Sequence, residues 1–168
     1  MAKTKTNAKT ERGEIFISEA DQYLFAQGTH YDIYKKLGAH PSVEDGVDGV
    51  FFGVWAPNAA SVHVIGEFNG WNEESHPMEK LGPGGIHKLF VPGVEEGCMY
   101  KFLITTPDGQ KLYKADPFAN YADYRPGTAS RVTDLSGFVL PDETREICHT
   151  GGSTRTIFRI VGKGIRFV

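Results

Sequence analysis

The chain has 168 residues, 40% of them hydrophobic and 12% aromatic, with a formal net charge of -3. That length suits one domain with appendages or two small ones, and the apolar content is enough to bury a core. The slightly acidic balance excludes a general affinity for nucleic acid or anionic membrane, and no apolar run of ~18 residues is present to span a bilayer.

Residues 1–14 read as a disordered lead-in. Met1 to Thr10 is rich in Lys, Thr and Ala and has no apolar stretch, so it is not a secretory signal. Residues 15–45 read as a helical N-terminal segment. Ser18 is a capping residue with Asp21 three positions on, and Tyr23, Leu24 and Phe25 follow with apolar surface. A break at Gln27-Gly28 precedes Ile33, Tyr34 and Leu37, which predict a second short helix closed by Gly38. His40-Pro41 then opens a loop running to Gly49.

From Val50 the texture is β. Val50 to Ala56, Ser61 to Phe68, Ile86 to Val91, Met99 to Thr105, Gln110 to Lys114 and Thr128 to Leu135 are expected strands, separated by Pro-, Gly- and Asn-rich turns. Trp55 is read as a core residue. Strands at this spacing without long intervening helices predict an antiparallel β-sandwich over residues 46–138. Tyr100, Phe102 and Ile104 share one face of their strand, which leaves Lys101 facing solvent. Residues 139–168 form an atypical tail. Gly151 to Thr154 resembles a linker, and Ile157 to Val161 could form a strand.

The chemistry of the chain is sparse. Glu73-Glu74 and Glu95-Glu96 are sequence neighbours in turns, where such charges are usually solvated, and they do not suit the opposed carboxylates a glycosidase needs. Asp116, before Pro117, is expected to accept backbone donors in a turn. His63 and His87 read as satisfied or surface strand residues. No cysteine–histidine group has zinc spacing, and no phosphate loop or nucleophile elbow occurs. No metal, cofactor or catalytic residue is therefore expected. Cys98 and Cys148 share no motif and no Asn-x-Ser/Thr acceptor is present, which fits a cytoplasmic location.

One segment stands out. Val64 to Phe68 runs into Asn69-Gly70, a strong hairpin-turn signal, and Trp71-Asn72 follows at once. A large aromatic in a solvated turn needs a reason. Either the indole is a platform for the flat apolar face of a sugar, with Asn69, Asn72, Lys101 and Tyr113 as polar or aromatic helpers, or it packs on the core or on another domain.

Longer matches carry a family resemblance. Tyr23 to Tyr31, Tyr34 to Pro41, Val54-Trp55-Ala56-Pro57-Asn58-Ala59, Gly66 to Asn72, His76-Pro77-Met78, Leu89 to Gly93, Tyr100-Lys101-Phe102, Lys114 to Pro117 and Arg125 to Ser130 follow in order and at family spacing. Over roughly residues 20–138 the chain resembles the N-terminal part of glycogen (1,4-α-glucan) branching enzymes, and within it carbohydrate-binding module family 48. The resemblance implies an immunoglobulin-like sandwich and an α-glucan partner. It also implies a role in glycogen or starch synthesis: docking glucan, or bracing the catalytic barrel. The module is also similar to the glycogen-binding domain of AMP-activated kinase β subunits, whose glucan-contacting tryptophan and lysine match Trp71 and Lys101. That domain's second tryptophan is replaced here by Lys111. A (β/α)₈ barrel needs ~250 residues, and nothing after Phe138 resembles the run into one. The family's catalytic carboxylates are expected to lie outside this chain, which is expected to be inactive alone.

Overall fold

The computed structural model describes residues 13–124 and 126–135 and, further on, the backbone of three strands. The chain divides into two units, Met1–Leu135 and Ser136–Val168. In the first unit, strands β1 (Gly38–Glu44), β2 (Val47–Trp55), β4 (Glu79–Leu81) and β5 (Ile86–Pro92) make an antiparallel sheet in the order β1-β2-β5-β4. A second sheet is built from β3 (Ser61–Gly66), β6 (Met99–Thr105), β7 (Lys111–Lys114), β8 (Tyr121–Ala122) and β9 (Ser130–Arg131). In it β3 lies along one edge of β6, while β9 and β7 share the other, pairing with Met99–Tyr100 and Phe102–Thr105 respectively. The result is an immunoglobulin-like antiparallel sandwich.

The period-2 alternation of strand side chains places the core. Val50, Phe52 and Val54 of β2 pack with Val62, Val64, Tyr100 and Phe102 of the facing sheet. At one end Asp116 is buried beneath them. The Tyr100 hydroxyl donates to its Oδ2 at 2.5 Å, the Phe118 N–H donates to Oδ1 at 2.8 Å, and the Asp116 N–H donates to Ser130 Oγ at 2.9 Å. Asp116 thus takes the turn role the sequence predicts. Burial pushes its carboxyl above the usual range, against the lowering effect of these hydrogen bonds.

The opposite parity of β2 sends Phe51 outward. It is buried there with Ile86 against Ile17, Ile33 and Leu37 of the N-terminal segment. Helix α1 (Glu19–Ala26) is where the cap predicts it. The Asp21 N–H donates to Ser18 Oγ and the Ser18 N–H donates back to Asp21. Asp21 is buried and also accepts from Lys36 Nζ at 2.5 Å and His30 Nε2 at 2.8 Å. Burial alone would raise its carboxyl, but Lys36, Ser18 and His30 together hold it well below the usual carboxylate range. Gly53 lets this cover approach, since a Cβ there would lie 2.7 Å from the Lys36 carbonyl oxygen.

Several expectations need correction. The second helix is only a 3₁₀ turn, Ile33–Lys35. The loop expected over His40–Gly49 is a hairpin: β1 and β2 pair from Gly38↔Gly53 to Glu44↔Val47 around Asp45-Gly46, both at positive φ. The helical N-terminal segment therefore ends before Gly38. Pro41 misled because proline breaks central strands, but β1 is an edge strand, where proline is tolerated. Trp55 is not in the core. It lies on the outward parity at the end of β2, 51% exposed, with its indole N–H donating to the Gly84 carbonyl at 3.0 Å and its ring edge-on to Phe25. The strand expected over Thr128–Leu135 shrinks to β9. The short β4 and β8 have no hydrophobic alternation to announce them.

In the second unit β10 (Glu146–Cys148), β11 (Ile157–Val161) and β12 (Gly164–Phe167) form an antiparallel sheet in that order, with β11 where the sequence predicts it. The lead-in over residues 1–12 and the Gly151–Thr154 linker lie outside the described residues.

Candidate functional site

The segment from Gly66 to Pro77 leaves the end of β3 and returns along its free edge. Trp71 is not at a two-residue hairpin tip. Glu67–Asn69 make a 3₁₀ turn first, followed by two consecutive left-handed residues, Gly70 and Trp71, both at φ 61. For a residue with a side chain that conformation costs on the order of 1–2 kcal/mol. The loop is held by its own bonds. The Trp71 N–H donates to the Gly66 carbonyl at 2.8 Å, the Val64 N–H to the His76 carbonyl at 3.1 Å, and the Met78 N–H to the Val62 carbonyl at 2.8 Å. Phe68 plugs the loop into the core against Phe52, and His76 packs edge-on to Phe68.

Asn69 is a clamp for this loop. Its Oδ1 accepts from the Gly66 N–H at 2.9 Å, and its Nδ2 donates to the Val64 carbonyl at 3.1 Å and Ser75 Oγ at 3.0 Å, with His76 Nδ1 also 3.1 Å away. With those bonds made, its carboxamide serves the loop. Asn72 is exposed. Its Oδ1 accepts from the Glu74 N–H at 2.9 Å, and its amide nitrogen has no partner among the described residues.

Trp71 is 38% exposed. Its backbone is bonded to Gly66, and Gly66 is paired with Tyr100, the neighbour of Lys101 in β6. Trp71 and Lys101 therefore share one end of the sheet. Lys101 is on the outward parity as predicted, and its Nζ donates to Thr128 Oγ1 at 2.7 Å, which ties the loop before β9 to the same face. Tyr113, 50% exposed, sits two positions along from Lys101 across the β6–β7 pair, opposite Leu103. The structure thus puts the Trp71 backbone at the same end of the sheet as Lys101, and Lys101 and Tyr113 on one outer face, with Asn69 as the clamp of the Trp71 loop.

Glu73 is the residue that the sequence reading missed. Its carboxylate accepts from Lys111 Nζ at 2.7 Å and from the Tyr113 hydroxyl. Lys111 and then Tyr113 hold Glu73 below the usual carboxylate range, and Glu73 in turn raises Lys111 and Tyr113. The Glu73–Tyr113 contact closes over β6, and Ile65 and Leu103 are buried although they have the outward parity. Lys111 is thus half of a tether between the Trp71 loop and β7. No local signal marks Glu73, because its partners are 38 and 40 residues away.

Two other candidates have structural roles or none. His87 is buried and its Nδ1 faces the Gly85 carbonyl at 3.2 Å, where burial lowers its proton affinity. His63 Nδ1 is buried without a partner among the described residues. Those residues hold no group of three or more His, Cys, Asp or Glu side chains placed for a metal ion, and no helix long and apolar enough to cross a membrane.

Known proteins place this architecture. The family described as carbohydrate-binding module 48 (isoamylase N-terminal domain) matches residues 36–119. The 1,4-alpha-glucan branching enzyme GlgB of Butyrivibrio fibrisolvens is 67% identical over 129 residues, which are 77% of this chain and 20% of that protein. The enzyme of the same name from Nitratidesulfovibrio vulgaris is 48% identical over 128 residues, 76% of this chain and 20% of its own length. The chain therefore spans about a fifth of the length of these curated relatives. A crystal structure of Klebsiella pneumoniae pullulanase complexed with maltotriose superposes with a TM-score of 0.48 at 25% identity, over 61% of this chain and 10% of that one. With half of its length inside the family match, on the sheets described above, this chain belongs to the carbohydrate-binding module 48 family.

Proposed function

We propose that this chain is a non-catalytic module of a 1,4-alpha-glucan branching enzyme and docks α-glucan (glycogen, starch or maltooligosaccharides) at the Trp71 loop. The observation that carries the reading is the backbone of Trp71. A bulky residue is held in a left-handed conformation, by a loop with its own clamp and tether, and is partly exposed at the end of the sheet that carries Lys101. Strain of this kind persists where a side chain must be presented in one direction. The indole offers an apolar face to a glucose ring. The Lys101 ammonium, the Asn72 amide and the Tyr113 hydroxyl offer polar contacts to its hydroxyls. Such a site is shallow and desolvates little surface, so its affinity is modest.

The reading is tested by titrating maltoheptaose against the full chain carrying Trp55→Phe, so that fluorescence reports Trp71 alone. A saturable change supports it, together with weakened maltoheptaose binding by Trp71→Ala in a calorimetric titration. A second reading has its own observation: Trp55, Tyr23 and Leu24 leave large apolar area exposed around the N-terminal cover, as a module bracing the catalytic domain of the parent enzyme would. No saturable response to any maltooligosaccharide favours that role.

A further inference from the structure

We propose that Tyr121 and Tyr124 form a second aromatic station of the glucan surface, two strands out from Lys101 on the outer face of the second sheet, and that this station makes the module favour longer α-glucan chains. The inference rests on the α-glucan reading of the Trp71 loop and extends it to residues beyond that loop.

Strand register places the pair. Tyr121 is opposite Arg131, Arg131 is opposite Met99, and Met99 is two residues from Lys101, so all four have the same parity on the outer face of the second sheet. Tyr121 is 44% exposed and Tyr124 81% exposed. Tyrosines this open in a short loop bury little of their own area, so packing does not explain them. They are nevertheless held in place. Tyr124 follows Tyr121 by three residues and holds the Tyr121 hydroxyl above the ordinary tyrosine range. The Gly127 N–H donates to the Tyr124 carbonyl at 2.7 Å and the Asp123 N–H to the Ala129 carbonyl at 2.9 Å. Arg131 pairs with Asp123 at 3.0 Å, and Thr128 of the same loop is the acceptor for Lys101.

Sheet geometry gives the reach. Tyr113 is one strand from β6 and level with Leu103, whereas Tyr121 is two strands away and level with Met99. At ~4.8 Å between strands and ~3.4 Å per residue, the two tyrosines stand about 14 Å apart on the same side of β6, with Tyr121 about 12 Å from Lys101. Gly66, which holds the Trp71 backbone, is three strands from Tyr121, about 14 Å, so a longer saccharide seated at Trp71 lays more of its rings along the Tyr121–Tyr124 station than a short one does. Ring stacking with hydroxyl contacts from tyrosine suits a neutral polyol chain. The Arg131–Asp123 pair beside Tyr121 is already satisfied, so it offers little to a charged ligand.

The experiment compares maltotriose and maltoheptaose binding by calorimetry or NMR titration. It uses the full chain and its Tyr124→Ala, Tyr121→Ala/Tyr124→Ala and Tyr121→Phe/Tyr124→Phe variants, with folding checked by circular dichroism. We expect the double alanine variant to weaken maltoheptaose about five-fold or more and Tyr124→Ala by less, with maltotriose affinity within about two-fold and the phenylalanine pair retaining most of the maltoheptaose affinity. Maltoheptaose binding unchanged in the double alanine variant, or equal losses for both sugars, overturns the inference while leaving the Trp71 reading standing. If the unsubstituted chain binds neither sugar, the Trp71 reading and this inference fall together.

Discussion

The two outer faces of the sandwich are treated differently by the same chain. Over the β1-β2-β5-β4 sheet, Phe51 and Ile86 are sealed beneath Ile17, Ile33 and Leu37, and the cover is fastened by one buried carboxylate, Asp21, with three side-chain partners. Over the β3-β6-β9-β8 sheet the outward Ile65 and Leu103 are also buried, but among the described residues no N-terminal segment packs there. A loop clamped by Asn69 and tethered by Glu73 stands on that face and leaves an indole, an ammonium and several tyrosines in reach of solvent. An outward apolar side chain such as Phe51 adds stability once it is covered, whereas exposed aromatics add little to it, which fits the proposed docking role of the second face.

That contrast yields graded expectations. The largest is on the closed face: Phe51→Ala should cost ~3–5 kcal/mol of unfolding free energy through lost burial and the cavity left behind, measured by urea denaturation. A cost well under that range would mean the cover is loosely seated. Asp21→Asn should come next, at ~1–3 kcal/mol, because Lys36 and His30 lose a charged acceptor in a buried setting. It also carries a pH signature. A carboxyl held low in the folded state stabilises fully above its unfolded value near 4, and that contribution is lost as pH falls through the folded value. The unsubstituted chain should therefore lose stability between about pH 5 and pH 2 more steeply than Asp21→Asn. Asp116, held high by burial, works in the opposite sense across the same range, so the comparison should be made against the Asn variant and not against a calculated curve.

On the open face the effects fall on binding. Trp71→Ala should lower maltoheptaose affinity about ten-fold or more, equivalent to ~1.4 kcal/mol, while the denaturation midpoint hardly moves. The smallest effect is expected from Glu73→Gln. It releases the tether to Lys111 and leaves the loop clamp intact, so affinity should fall only about two- to four-fold with stability essentially unchanged, exposed ion pairs contributing little. A large stability loss in Glu73→Gln with no change in binding would place this loop with the structural elements and erase the difference between the two faces.

How far the sequence showed this depends on the range of each interaction. The capping box at Ser18, the alternation of β2, β5 and β6, and Lys101 facing out of the sheet are all local, and they were readable. The β1 edge strand was hidden by Pro41, whose missing N–H does no harm on a sheet margin. Trp55 looked like core because aromatics in a β run usually are, yet its parity with Phe51 sends it outward. The site was half legible. Trp71 and Lys101 stood out by residue type and family resemblance, and Asn69 drew attention for a reason the loop clamp redirects. Glu73, Thr128 and the Tyr121–Tyr124 pair reach the face only through strand pairing across tens of residues, which no local pattern encodes.

The central claim is that the open face, with Trp71 at its head, is where saccharide docks. The most direct test is a map of amide shift changes as maltoheptaose is titrated into the ¹⁵N-labelled chain. This account predicts saturable changes concentrated at Gly66–Ser75, Lys101, Tyr113 and Thr128, extending to Tyr121 and Tyr124, with α1 and the Phe51 cover silent. Changes centred on the N-terminal cover, or none at saturating sugar, would contradict it.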